Sequence, residues 1–205
     1  MKKGEETRNR LLRCAEKAFS KKGFYETQVS DIVKLAHVAK GTIYQYFKNK
    51  EEIFTLLLEN YIKAWEKDIA IDMKDFTGNK PPLDYAIDYL RHRLMKTAAF
   101  FSENQDRTNI VLRVGIGVND EFEPIMRKFE SKILNIIVHD IELAQRQGHI
   151  PRDLNVELAS NAVMGAIVRL NYYLFVIHKK SVSKLNIETI AEEGVKLVYS
   201  TLRMK

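Results

Sequence analysis

The sequence predicts an all-α protein in two parts: an N-terminal three-helix domain built around a helix-turn-helix, joined to a C-terminal helical bundle. Three observations carry this expectation. Apolar residues recur with helical spacing almost throughout the 205 residues, no stretch alternates apolar and polar residues as a half-buried strand would, and the excess positive charge sits in the first quarter. The length and a hydrophobic content of 45% allow one sizeable core, or one core with a small satellite domain.

Taken in order, the first helix carries Leu11, Leu12, Ala15, Ala18 and Phe19 as an i, i+3, i+4 stripe and ends at Lys22 and Gly23. Thr27 is placed to cap a second, short helix through Val29, Ile32, Val33 and Leu35, its side-chain oxygen accepting from an otherwise free amide. A four-residue turn, Ala36 to Ala39, leads to a third helix from about Lys40 to Phe47. Asn49 then caps a long fourth helix, whose acidic opening pair Glu51 and Glu52 suits the helix dipole and whose stripe extends through Ile62, Trp65 and Ile69. The segment TGNKPP, with Gly78, Pro81 and Pro82, breaks the pattern because proline cannot continue a helix. Further helices are expected over residues 83–101, 108–114, 120–147, 156–178 and 187–202. GIGV, with Gly115 and Gly117, lacks the flanking strand and third glycine of a phosphate loop and is expected to be a turn.

Residues 1–50 hold 12 Lys and Arg against 5 Asp and Glu, a charge of +7, whereas residues 51–205 hold 21 against 22, a charge of −1. The first segment therefore has the electrostatic footprint of a polyanion binder, and the rest has another task. The domains expected are a basic helix-turn-helix domain over 1–50 and a near-neutral helical domain over 51–205, to which the family resemblance given below assigns DNA binding and, in turn, ligand binding and dimerisation. One cysteine forms no intrachain disulfide, and MKKGEETRNR lacks the apolar core of a signal peptide. Apolar runs such as AVMGAIV and YYLFVI fall short of the ~18 residues of a membrane span. A cytoplasmic protein with no membrane partner is expected. His37, His92, His139, His149 and His178 show no paired ligand spacing, and no nucleophile motif surrounds Cys14. His139, Asp140 and Glu142 come nearest to a metal cluster, but adjacent helical residues point apart, so neither a metal, a cofactor nor a catalytic residue is expected.

Two short helices joined by a tight turn, the second ending in aromatic and basic residues, form a helix-turn-helix. Ile43 and Phe47, four apart, should point inward, leaving Thr42, Gln45 and Tyr46 on the other side and Tyr44 on the flank. Glutamine bonds adenine bidentately, threonine touches a base edge or a thymine methyl, and tyrosine and lysine hold phosphates. At this spacing Tyr44 and Tyr46 would by default be core, but Ile43, Phe47 and Ile53 already fill that role, which favours phosphate contact.

These residues carry a resemblance. The stretch TQVSDIVKLAHVAKGTIYQYFKNKEEI, with LLRCAEKAFSKKGFYET upstream of it, resembles the DNA-binding domain of TetR-type (TetR/AcrR) transcriptional regulators over about residues 7–60, most specifically in Gly-Thr-Ile-Tyr-x-Tyr-Phe-x-x-Lys. The resemblance implies that Gln28, Val29 and Ser30 lie near the DNA, that Lys40, Gly41, Thr42, Tyr44, Gln45 and Tyr46 face groove or phosphate, and that Lys50 anchors a phosphate. Lys48 is a further candidate. Two positions depart from the family pattern. His37 stands at a turn position usually held by glycine, where a positive φ is expected, and Ala39 stands where a capping side chain is common.

The same resemblance implies a double-stranded DNA operator, a homodimer built on the last two helices, and a small apolar effector held in the bundle. Ala159, Ala162, Gly165 and Ala166, then Ile190, Leu197, Val198 and Leu202, are compatible with a helix interface and equally with intrachain core. Pocket candidates are Phe101, Leu112, Phe129, Ile133, Ile137, Met164, Val168 and Tyr172, with Arg113, Arg169 and Asn171 as polar anchors. YFKNKEEI and AQRQGHIPRDLNVELA are similar to fatty acyl-CoA-responsive members of the family, which implies an acyl thioester or another long apolar ligand. The function expected is that of a ligand-responsive repressor, released from its operator when the effector binds. A helical lipid-binding or membrane-surface protein is the alternative, which explains the apolar body but not the basic helix-turn-helix.

Overall fold

A computed structural model of the chain describes residues 2–70, 82–116, 122–177 and 186–202. Helix α1 spans Lys2–Lys22, α2 Val29–Leu35, α3 Lys40–Ile43, α4 Lys50–Ile69, α5 Pro82–Glu103, α6 Gln105–Ile116, α7 Glu123–Arg146, α8 Val156–Tyr172 and α9 Ile187–Thr201. A π-helical turn, Tyr173–Ile177, continues α8, and no strand occurs among the described residues.

The chain divides into two compact units, one of Met1–Ala64 with Asn104–Met126 and one of Trp65–Glu103 with Arg127–Lys205. This division falls within α4 and not at residue 50, and it returns α6 to the first unit. The reason is apolar. Phe54 of α4 meets Phe19 of α1 edge-on at 5.0 Å, and Phe24 sits 4.7 Å from Phe54 and 4.8 Å from Phe122. Such paired rings add to the area they bury. Polar links reinforce the packing: Ser20 Oγ donates to Asp106 Oδ1 at 2.7 Å, Arg107 Nε lies 2.8 Å from Glu16 Oε2, and the Tyr61 and Thr108 hydroxyls meet at 2.9 Å.

In the second unit α5 packs along α9. Gly194 permits the approach, since a Cβ there would lie 3.0 Å from Leu94 Cδ1. Arg91 bridges the two helices, with Nη1 2.6 Å from Asp88 and Nε 2.5 Å from Glu192. Ile137, Ile141, Ile150, Ala159 and Leu202 form a buried cluster joining α7, α8 and α9. Trp65 and Phe129 stack edge-on at 5.0 Å.

Several sequence expectations change. Thr27 does not cap α2. It is fully buried, and its hydroxyl donates to Gly23 O at 2.6 Å, with Ala18 O at 3.3 Å, so it closes the end of α1. Helix α1 begins at Lys2, ahead of the stripe that predicted it. Helix α3 is one turn long and passes into turns at Tyr44. Gly115 belongs to α6, which also starts earlier than expected, while Gly117 lies outside the described residues. Gly78 and Pro81 lie outside them as well, and Pro82 opens α5, a position where a missing amide costs no helical hydrogen bond.

Candidate functional site

The turn between α2 and α3 is fixed by backbone bonds. Val38 N donates to Val33 O at 3.1 Å and His37 N to Lys34 O at 3.3 Å, the paired closure of a left-handed helix terminus. His37 supplies the left-handed residue with φ +51°, as its position in the turn predicts. Helix α3 starts at Ala39 without a side-chain cap, as expected, and Thr42 N bonds back to Ala39 O at 2.9 Å. At the other end of α2, Gln28 N donates to Asp31 Oδ2 at 3.0 Å, and Lys22 Nζ lies 2.9 Å from Asp31 Oδ1. The lysine first, and the Gln28 amide second, hold the Asp31 carboxyl below its usual range. Asn49 caps α4 as expected: Glu52 N donates to Asn49 Oδ1 at 2.8 Å, and Glu52 Oε2 accepts from Lys48 N at 2.6 Å.

This frame sorts the side chains. Ile43 and Phe47 are buried, at 1% and 3% exposure, which turns the opposite face outward. Gln28, Ser30, Lys40, Gly41, Tyr44, Gln45 and Lys48 are exposed, and Val29, Thr42, Tyr46 and Lys50 are half-buried. Two candidates have other company. Tyr46 Oη lies 3.8 Å from where a Cβ on Gly4 of α1 would stand, so this ring leans on α1. Lys50 Nζ donates to Phe24 O at 3.0 Å and sits 4.1 Å from the Phe24 ring centroid, so the side chain resembled as a phosphate anchor is turned back onto its own domain.

The second unit encloses a cavity of about 450 Å³, bounded by the end of α4 and by α5, α7, α8 and α9. Of the pocket candidates, Phe101, Ile133 and Ile137 line it. Val163 and Ile167 line it in place of Met164 and Val168, so the expected stripe on α8 is displaced by one residue. Phe129 is buried beside Trp65 and outside the lining. Leu112 and Arg113 belong to α6 in the first unit. Arg169 is exposed, with its guanidinium 5.8 Å from the Tyr172 ring centroid, and Asn171 Nδ2 donates to Ile167 O at 2.7 Å. None of the three expected polar anchors, nor Tyr172, is among the lining residues.

The polar wall lies elsewhere. Tyr89 Oη donates to Asp140 Oδ1 at 3.0 Å and accepts from Arg93 Nη2. Arg93 Nε stands 3.0 Å from Asp140 Oδ2, close enough for an ion pair though not aligned as a hydrogen bond. Burial raises the Asp140 carboxyl above its usual range against the pull of Arg93. Burial, and then the Asp140 charge, raises the Tyr89 phenol. A signal for this cluster was present: Asp140 interrupts the apolar run Ile133, Ile136, Ile137, Ile141, and Tyr89 and Arg93 are four apart on one helix face. The neighbours that α5 supplies to Asp140 are thus a cation and a phenol, not metal ligands. Groups of three or more metal-ligating side chains are absent among the described residues. Trp65, which also lines the cavity, has a buried indole N–H with no hydrogen-bond partner among the described residues.

Comparison with known proteins places the same residues. The model of bacterial regulatory proteins of the tetR family matches residues 11–57. The uncharacterized HTH-type transcriptional regulator YhgD of Bacillus subtilis is 30% identical over 186 residues, covering 88% of this chain and 88% of that protein. The HTH-type transcriptional regulator HbdR of Aromatoleum is 25% identical over 194 residues, 95% of this chain and 80% of that one. The B. subtilis regulator FadR, solved in complex with stearoyl-CoA, is 25% identical and superimposes with a TM-score of 0.69 over 92% of this chain and 96% of its own. Motif, fold and relatives agree: this chain belongs to the TetR family and is a helix-turn-helix transcriptional regulator, not an enzyme.

Proposed function

We propose that this regulator is a homodimeric, cytoplasmic repressor that leaves its operator when an apolar effector enters the cavity of the second unit. The observation that carries the DNA-binding face is the joint exposure of Lys40, Gly41, Tyr44, Gln45 and Lys48 along α3 and the turn after it, where Ile43 and Phe47 are buried. Lysines and the Tyr44 hydroxyl hold phosphates, Gln45 and Thr42 read base edges, and Gln28, Val29 and Ser30 approach the backbone from the start of α2. Tyr46 and Lys50 act by position, the first bracing α1 and the second fixing the loop at Phe24. The cavity volume falls within the range of small-molecule sites, and its lining is mostly apolar. The stearoyl-CoA held by FadR makes an acyl thioester the first candidate effector. Effector and operator would each favour a different separation of the two α3 helices, and only differential affinity for the two states can shift that balance.

A dimer has its own motive, because one helix-turn-helix reads few bases. Leu158, Leu170, Tyr173 and Ile177 along α8 and its π turn, and Leu197 on α9, are large apolar side chains left in solvent. Gly165 lies among them, and a Cβ there meets nothing within 4 Å inside the protomer. Gly165→Trp should therefore keep the fold and yield monomers by sedimentation. An unchanged dimer would place the interface elsewhere. The primary test is fluorescence anisotropy with duplex fragments of the protein's own genome, with and without acyl-CoA. Salt-sensitive binding that acyl-CoA weakens is expected, and no affinity for any duplex would end the proposal.

A further inference from the structure

Among the described residues lining the cavity, Arg93 and Asp140 carry formal charge, and they stand paired on one stretch of its wall, 3.0 Å apart. The remaining polar lining, which includes Tyr89, Thr97 and Gln147, is neutral. Arg93 is thus a cation whose counter-charge is already in place, which is an unusual provision for a site meant to capture an anion.

Resting on the reading of this cavity as the effector site, we infer that Asp140 sets the charge of the ligand group that can lie beside Arg93: by cancelling Arg93 it admits a chain whose hydrogen-bonding group there is uncharged, such as an ester, thioester or alcohol, and excludes the carboxylate of the same chain. The physical ground is the cost of an unpaired charge in an apolar enclosure. A carboxylate entering beside Arg93 would compete with Asp140, and whichever of the two lost the guanidinium would be left buried and unpaired. A neutral head leaves the pair whole. Its oxygen can accept from an Arg93 Nη group or from the unpartnered Trp65 indole, while the chain fills the space lined by Leu90, Leu94 and Ile137. Outside the lining, His139 adjoins Asp140 on α7 and adds only a minor pull on its charge.

Trp65 is the chain's one tryptophan and lines the cavity, so its emission reports occupancy directly. Methyl dodecanoate and dodecanoate, titrated separately at neutral pH below micelle formation, should differ by at least about tenfold in favour of the ester. Asp140→Asn keeps the shape and leaves Arg93 uncompensated, and it should reverse the preference. Combining it with Arg93→Gln returns the wall to neutrality and should restore the ester preference, which guards against a single variant that merely loosens the fold. A wild-type protein binding dodecanoate as tightly as its ester would overturn the inference while sparing the cavity. If neither amphiphile altered Trp65 emission, the cavity itself would be misassigned as an effector site, and the inference would fall with it.

Discussion

The turn carrying Lys40 through Lys48 and the wall carrying Arg93 and Asp140 dispose of charge in opposite ways. Lys40 and Lys48 stand in solvent, and neither ammonium has an acidic partner among the described residues. Arg93 is about four-fifths covered, has a carboxylate 3.0 Å away and sits among aliphatic side chains. An uncompensated surface charge acts over a Debye length and fades as salt is added, whereas a compensated pair in an enclosure acts at contact and is screened little. One region is built to attract a polyanion from a distance, and the other to discriminate among molecules already inside.

The largest expected effect breaks the first region and leaves the second untouched. Lys40→Glu with Lys48→Glu reverses two exposed charges in each protomer, and duplex affinity should fall by about two orders of magnitude or more at low salt, with a flatter dependence on salt concentration. Thermal melting and the response of Trp65 to amphiphiles should stay as they were, because neither lysine packs against the core. A double variant that still binds duplex normally would remove this face from the DNA site.

Gln45→Ala sharpens the distinction between attraction and readout within the same face. Gln45 is exposed and uncharged, so its loss should cost about 1–3 kcal/mol at the base it reads and leave the salt slope unchanged. Competition among operator variants measures it. A uniform loss across all sequences would assign Gln45 to the backbone instead.

The two regions also differ in how far they were legible beforehand. The DNA-facing turn lies within one stretch of the chain, and its geometry follows from bonds three to five residues apart, such as those that put His37 at positive φ. Helical phase alone therefore puts Ile43 and Phe47 inward, Gln45 outward and Tyr44 on the flank, but it also turns outward Tyr46, which is half-buried against α1. It could not foresee that Lys50 would fold back on Phe24, a partner 26 residues away. The cavity is assembled from helices that meet only in the tertiary fold. The α8 stripe was misplaced by one residue because small and apolar residues run almost continuously from Val163 to Val168, which leaves the phase undetermined until α8 packs. Asp140 stands out within its apolar run and Arg93 beside Tyr89, but the two are 47 positions apart and only the tertiary fold pairs them.

A smaller effect tests the packing of the first unit. Tyr61 is fully buried, and Tyr61→Phe removes the hydroxyl that meets Thr108 across α4 and α6. The shape is kept, so the expected loss is about 1 kcal/mol, read from chemical denaturation. An unchanged midpoint would mean that Thr108 satisfies its hydroxyl equally well without the phenol.

The smallest effect contrasts two carboxylates, one from each compact unit, by the sign of their response to acid. Asp31 has its folded pKa lowered, chiefly by the Lys22 hydrogen bond. Its contribution is therefore fully present above the unfolded value of a carboxyl and is lost as pH falls through the folded value, so the stability difference between wild type and Asp31→Asn should shrink on acidification. Asp140 has its folded pKa raised, chiefly by burial. The folded protein then holds that proton more tightly than the unfolded chain, so wild type should gain relative to Asp140→Asn as pH falls through the folded value. Added salt should diminish the Asp31 effect, whose partners are 46% and 30% exposed, more than the Asp140 effect. Denaturation series at several pH values that bent the same way for both variants would show that Arg93 outweighs burial at Asp140, and the cavity wall would then be a conventional ion pair in a better-solvated site.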